Sequence, residues 1–254
     1  MRIFYLTLAV IFFASTELVW ATGECSAALG HGANTDGRLV LPNEAFDQYI
    51  LKIQSRKKDL SHQTTIVNGT SYALLKRLGK GTGTAYLAAA PDGVRVVIKH
   101  LQENAKTKGT KRVNSIFYEM AVTEYYLAHG VRIPKILKYE ITQSNGILNG
   151  YLVKEYVDGL TLDHFEENRP AMMQLLGEVH FKALENDIRD QVSKIGKLHE
   201  GFEAWLDRNN INLFQWDFDH LKQLIKYGDA VNPFNRGNNW IFDRIHYRWV
   251  LIDP

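Results

Sequence analysis

The stretch from Tyr72 to His100 constrains this chain most, because it sets three short β-prone runs between two strong turn signals. Tyr72 to Leu78 is apolar-rich, Gly79-Lys80-Gly81-Thr82-Gly83 interrupts it, and Ala85 to Ala90 follows. Pro91-Asp92-Gly93 then turns the chain into Val94 to His100. Runs of this length with glycine and proline punctuation read as strands, so the block predicts an antiparallel meander of three. A helix is predicted over Thr110 to Ala128, where Ile116, Met120, Val122 or Thr123, Tyr126 and Leu127 recur at helical spacing and Gly130 supplies a stop. Ile133 to Ile141 and Leu148 to Val157 predict two more strands, joined around the hairpin signal Ser144-Asn145-Gly146.

Beyond Gly159 the pattern turns helical, with segments expected at Met172 to Glu185, Ile188 to Phe202 and Phe218 to Ile225. Trp240 to Phe242 and Trp249 to Ile252 close the chain as a candidate β-pair. The expected class is therefore α+β. Residues 22–71 are mixed and polar, with a turn at Gly37 and a weakly amphipathic stretch from Asn43 to Ile53, and read as an N-terminal extension with one short helix.

Apolar residues make up 45% and charged residues 23% of the 254, a globular balance that supplies a sizeable core. The formal charge of +2, from 30 basic and 28 acidic residues, recommends neither nucleic acid nor an anionic membrane as partner. The local basic cluster Lys106, Lys108, Lys111 and Arg112 reads as a solvated loop. A lone Cys25 can form neither an intrachain disulfide nor a cysteine-rich metal site. Met1-Arg2, the apolar run Ile3 to Ala14 and Val19-Trp20-Ala21 together read as an export signal over residues 1–21, too short in its apolar part for a comfortable transmembrane helix. The mature chain is then expected to keep no stable membrane span.

Chemistry concentrates at a few positions. Gly79, Gly81 and Gly83 lie between two strands, where the lack of Cβ atoms lets backbone N–H groups approach phosphate oxygens. Lys99 ends the apolar run Val94 to Ile98, so its ammonium projects at the rim of a hydrophobic cleft, where a point cation suits α- and β-phosphates. A flexible lysine stem needs a carboxylate to hold it, and Glu119 and Glu124 on the following helix are the candidates. His199, His220 and His246 read as structural or surface histidines rather than zinc ligands, and no Gly-x-Ser-x-Gly elbow is present. Trp205, Phe214, Trp216 and Phe218 form an aromatic cluster whose default role is packing.

Leu78-Gly79-Lys80-Gly81 through Tyr86, Val97-Ile98-Lys99, Glu119, Leu127-Ala128-His129-Gly130 and Ile133-Pro134 together resemble the small lobe of protein kinases and aminoglycoside-phosphotransferase-like kinases. The resemblance implies a two-lobed kinase-like domain over 72–254, with a five-stranded N-lobe at 72–157 and a short, mostly helical C-lobe at 158–254. It selects Glu119 as the partner of Lys99, and it makes Gly79, Lys80, Gly81, Thr82 and Gly83 a phosphate cradle for ATP. Leu152 to Gly159 resembles the family's hinge, which would set adenine against the backbone of Glu155 and Val157. Tyr227-Gly228-Asp229, Gly237 to Asp243 and Val250 to Pro254 resemble the second half of the motif set. Asp229 is then the catalytic carboxylate, and Asn239 and Asp253 are ligands for Mg²⁺. The interval between Asp229 and Asn239 exceeds the family's usual one, so Asn232 to Arg236 loops out and Asn235 or Asn238 stands as an alternative ligand.

The chain stops one residue after Asp253, which fits either a truncated sequence or a minimal kinase similar to secreted bacterial effector kinases. The implied activity is ATP-dependent phosphorylation of a protein hydroxyl, on Ser, Thr or Tyr. A kinase of small molecules and a pseudokinase that binds a partner without transfer are the alternatives. An exported kinase meets ATP only in a host cell or a eukaryotic secretory lumen, and the Asn68-Gly69-Thr70 sequon suits the latter.

Overall fold

The computed structural model describes residues 48–52, 59–80, 83–104, 111–211 and 239–253. The export signal at 1–21, the helix expected at Phe218 to Ile225 and the basic residues Lys106 and Lys108 lie outside the described residues. The architecture is α+β, and strand alternation decides which side chains meet.

Six strands form one antiparallel sheet: β1 (Asp59–Val67), β2 (Thr70–Lys80), β3 (Thr84–Ala89), β4 (Arg95–Asn104), β5 (Ile136–Ser144) and β6 (Ile147–Glu155), in the order β1-β2-β3-β4-β6-β5. Successive side chains on a strand point to opposite faces, so Val96 and Ile98 of β4 join Val153 of β6 on one face, with Val67, Tyr72, Leu74 and Ala88. The other face carries Leu101 and Leu152, which pack on Ile116. The sheet curls: the Asn68 amide at the β1–β2 turn donates to Glu140 of β5 at 2.8 Å, and Lys138 of β5 donates to Thr70 Oγ1 of β2 at 2.6 Å. That curl encloses the first face as a core of its own.

Sequence reasoning expected five strands starting at Tyr72, and this count is corrected to six. The strand Asp59–Val67 comes from the supposed extension, where residues 63–67 pair with Leu74 back to Thr70. Its residues DLSHQTTIV are mostly polar, in keeping with a strand much of which is left to solvent: Gln63, Thr64 and Ile66 are exposed while Val67 is buried. Residues 48–52, within the weakly amphipathic stretch, are helical, and Ile50 is fully buried.

Helix α1 (Lys111–Ala128) joins β4 to β5 and is buried on almost every side. Ile116 faces the sheet, whereas Tyr118, Ala121, Val122, Tyr125 and Tyr126 belong to the larger core built by the later elements. A helix apolar around most of its circumference must lie between two layers, and α1 does.

After β6 come β7 (Gly159–Thr161), α2 (Leu162–Glu167), α3 (Arg169–Leu176) and α4 (Glu178–Arg208), then β8 (Trp240–Asp243) and β9 (Arg248–Leu251). The expected C-terminal β-pair is present, and β7 adds a third strand to it in the order β7-β8-β9. Gly159 makes that addition possible: a Cβ there would sit 1.7 Å from the Phe242 carbonyl oxygen. The helix break expected between Glu185 and Ile188 falls instead at Gly177, whose φ of 77° a glycine adopts without strain. α4 therefore runs unbroken for 31 residues, burying Phe181, Leu184, Ile188, Ile195, Phe202 and Leu206 along one stripe. Asp187, inside the supposed break, accepts from Arg132 at 2.6 Å and from the Trp249 amide at 3.0 Å, tying α4 to β9.

Phe165, Phe242 and Trp249 gather at centroid distances of 5.1 to 5.8 Å, and the Trp249 indole donates to the Leu184 carbonyl at 3.0 Å, so this buried ring keeps its hydrogen bond. No helix among the described residues is long and apolar enough to cross a membrane.

Candidate functional site

Lys99 sits on β4 between Ala85 of β3 and Leu152 of β6, on the sheet face that looks toward α1. Glu119 lies one turn beyond Ile116 on α1, and residues three apart on a helix share a face, so the contact that seats Ile116 on the sheet also delivers Glu119. Lys99 Nζ donates to Glu119 Oε2 at 2.7 Å and to Asp253 Oδ1 at 2.7 Å. Glu124, the other candidate partner, is exposed on the far side of the helix.

A second lysine completes the cluster. Lys154 of β6 alternates with Val153, so it stands on the same face as Leu152 and Lys99. Its Nζ donates to Glu119 Oε1 at 2.7 Å and to the Ile252 carbonyl at 2.7 Å. Each oxygen of one carboxylate thus receives an ammonium. Lys154 and Glu119 are 4% and 5% exposed, which is tolerable only because both are paired.

The electrostatics follow from this arrangement. Burial alone would raise the pKa of Glu119, but Lys154 and Lys99 outweigh it and hold the carboxyl well below the ordinary carboxylate range. Burial likewise works against the Lys99 ammonium, and the carboxylates of Glu119 and Asp253 overturn it, raising the Lys99 pKa. Glu119 and Lys99 are therefore both ionised at neutral pH.

Asp253 differs from the rest because its side chain stays 46% exposed, so it can take a further ligand from solvent. Asn239 stands beside it. The pairing of Trp240 with Leu251 carries on through a 2.8 Å bond from the Ile252 amide to the Asn239 carbonyl, so the open end of the β8–β9 hairpin brings the two residues together. Short oxygen side chains at an exposed edge suit a hard cation such as Mg²⁺. Among the described residues no three His, Cys, Asp or Glu side chains gather as a metal site. A cation at Asp253 would draw its remaining oxygens from Asn239, solvent or a bound anion.

The described ends of the glycine run, Gly79 and Gly83, connect to Lys99 through strand pairing. Lys80 pairs with Thr84, Thr84 with His100, and Ala85 with Lys99. Gly83 is required by packing, since a Cβ would lie 2.7 Å from the His100 carbonyl oxygen. At Gly79 a Cβ would meet nothing within 4 Å, so packing does not account for the glycine there. Gly81 and Thr82 lie outside the described residues, as do Asp229, Asn235 and Asn238.

Glu155 ends β6, where its amide donates to the Lys135 carbonyl at 3.0 Å and its carboxylate accepts the Lys135 amide at 3.0 Å. Val157 lies in the link from β6 to β7. That link is fastened by Asp158, whose carboxylate takes Arg244 at 2.6 Å and whose carbonyl accepts the Arg244 amide at 2.9 Å. Burial and Asp158 together push the Tyr156 hydroxyl up to about 12.

The structure thus brings together Lys99, Glu119 and Asp253, sets the Asn239 backbone against Ile252, and sets Gly83 against His100, the neighbour of Lys99 on β4. Lys154 is the residue that sequence reasoning passed over as part of a backbone-binding segment. Its signal was alternation: two positions after buried Leu152, on a strand covered by a helix, a lysine needs an internal partner. No protein-family model and no curated protein sequence matches the chain.

Proposed function

We propose that this chain is an ATP-dependent phosphotransferase with a protein-kinase-like fold, acting on a protein Ser, Thr or Tyr hydroxyl with Mg²⁺ as its metal. One observation carries the reading: Lys99 Nζ lies 2.7 Å from Glu119 and 2.7 Å from Asp253, so a cation from the sheet meets a carboxylate fixed on a helix and one exposed at a strand end. Support also comes from the order of elements, in which four strands, one helix and two strands carry Lys99 and Glu119, and a β-hairpin leads from Asn239 to Asp253.

In this reading Glu119 fixes Lys99 at the cleft rim, and Lys99 binds the α- and β-phosphate oxygens. Backbone amides of Gly79 to Gly83 receive the outer phosphates. The backbone of Glu155 and Val157 holds adenine. Asp229 orients the acceptor hydroxyl and takes its proton as the oxygen attacks the γ-phosphorus, and the bond to the β–γ bridging oxygen breaks to release ADP. Asp253 and Asn239 would hold Mg²⁺, which supplies neutralisation of phosphate charge. The chain's own contribution is positioning and charge, with no covalent intermediate. Read with the export signal, the phosphotransferase acts in a host cell or in a eukaryotic secretory lumen, where an exported kinase meets ATP.

The test is transfer of radiolabel from γ-labelled ATP to protein acceptors by wild type, Lys99→Ala and Asp229→Ala. The expected result is transfer by wild type and none by either variant, with wild-type circular dichroism in all three. Full activity in both variants would overturn the assignment.

A further inference from the structure

We propose that Lys154 is a positioning residue of this site, holding Glu119 and the Ile252–Asp253 segment at a fixed separation so that Asp253 keeps its place when Lys99 leaves it for a nucleotide. The inference rests on the phosphotransfer reading and deepens it.

Four distances carry the proposal. Lys154 Nζ is 2.7 Å from Glu119 Oε1 and 2.7 Å from the Ile252 carbonyl oxygen, while Lys99 takes the other Glu119 oxygen at 2.7 Å. Lys99 has a second partner in Asp253, also at 2.7 Å. Lys99 has three N–H donors, and Glu119 and Asp253 occupy two of them, so engaging both the α- and the β-phosphate must release one partner, and the half-exposed Asp253 is the one at the open edge. With that contact open, the backbone carbonyl next to Asp253 is still hydrogen-bonded to Lys154, and Glu119 still has one buried cation. Lys154 is 4% exposed and behind the cluster, so it acts through its neighbours and stays away from solvent. The two lysines therefore divide the work, Lys99 being the one that moves to ligand and Lys154 the one that remains.

A residue that orients a metal ligand through a hydrogen bond affects metal affinity on the order of 10-fold to 100-fold. The experiment uses the full chain as wild type, Lys154→Met and Lys154→Arg. It measures Mn²⁺ affinity by electron paramagnetic resonance at saturating non-hydrolysable ATP analogue, and analogue affinity without metal by fluorescence. Lys154→Met is expected to weaken Mn²⁺ about tenfold while changing metal-free analogue affinity less than about twofold, and Lys154→Arg is expected to recover part of the loss. If Lys154→Met lacks wild-type circular dichroism, Lys154→Gln replaces it with the same expectation. Unchanged Mn²⁺ affinity in a folded variant overturns the role of Lys154 and leaves the phosphotransfer reading standing. Failure of the wild type to bind analogue or Mn²⁺ overturns both.

Discussion

Lys99 and Asp253 are 154 positions apart in the chain, and their side chains meet at 2.7 Å. One rides the central part of a six-stranded sheet and the other leaves the last strand of a three-stranded one. Glu119, from the helix packed on the larger sheet, takes the same ammonium on its other side. Three elements distant in sequence thus converge on one cation, at a place where half-exposed Asp253 opens the cluster to solvent.

Replacing Lys99 by Met removes the one lysine of the pair that borders the exposed carboxylate. Phosphoryl transfer should fall by about a hundredfold or more, the loss typical when a group that stabilises developing charge is deleted. The fold should survive, because Glu119 keeps Lys154 as a buried partner. Initial rates with γ-labelled ATP, alongside thermal melts, check both halves.

Glu119→Ala should be far more damaging to stability. It leaves the Lys154 ammonium, 4% exposed, with the Ile252 carbonyl as its remaining partner in the cluster. Stranding one member of a buried ion pair costs about 3–5 kcal/mol, read as a drop in the urea midpoint.

Acid should act through the same carboxylate. The folded-state pKa of Glu119 is depressed, to about 2 from 4.5, so its contribution to stability is complete above pH 4.5 and is lost as pH falls toward 2. Lys99 has the opposite sign: its folded pKa is raised above 10.5, so its contribution holds below that pH and is lost only as pH rises through the folded value. Urea melts from pH 6 to pH 3 should therefore decline more steeply for wild type than for Glu119→Gln, which has no carboxylate to protonate.

Two glycine substitutions should part company. Gly159→Ala puts a Cβ 1.7 Å from the Phe242 carbonyl oxygen and 2.9 Å from Ile241, so β7 must separate from β8, at about 2–3 kcal/mol. Gly79→Ala meets nothing within 4 Å and should change stability by less than about 0.5 kcal/mol. Chemical denaturation of both variants measures the contrast.

The strands from Thr70 to Glu155 were legible because turn residues punctuate them and apolar runs fill them, and α1 was legible from its spacing and the Gly130 stop. Strand β1 was not, since an edge strand much of which is left to solvent carries too few apolar residues to stand out from a polar extension. The helix break was misplaced because Asn186 and Asp187 look like breakers, whereas Asp187 is occupied with Arg132 and the Trp249 amide. The pairing of Lys99 with Glu119 was expected through motif resemblance, since nothing local in the sequence states which carboxylate a lysine will meet; the direct contact of Lys99 with Asp253 was not. Lys154 escaped notice for the converse reason. Its neighbours suggested backbone recognition, and the partner that gives it meaning lies 35 positions away on α1.

The most direct measurement is calorimetric titration of the chain with ATP, with and without Mg²⁺, on wild type, Lys99→Ala and Asp253→Ala. Wild type should bind one ATP per chain and bind it more tightly with Mg²⁺, Lys99→Ala should lose affinity under both conditions, and Asp253→Ala should lose the gain that Mg²⁺ brings. Absence of ATP binding in the wild type, or binding that neither substitution alters, would contradict a nucleotide site at the Lys99–Glu119–Asp253 cluster.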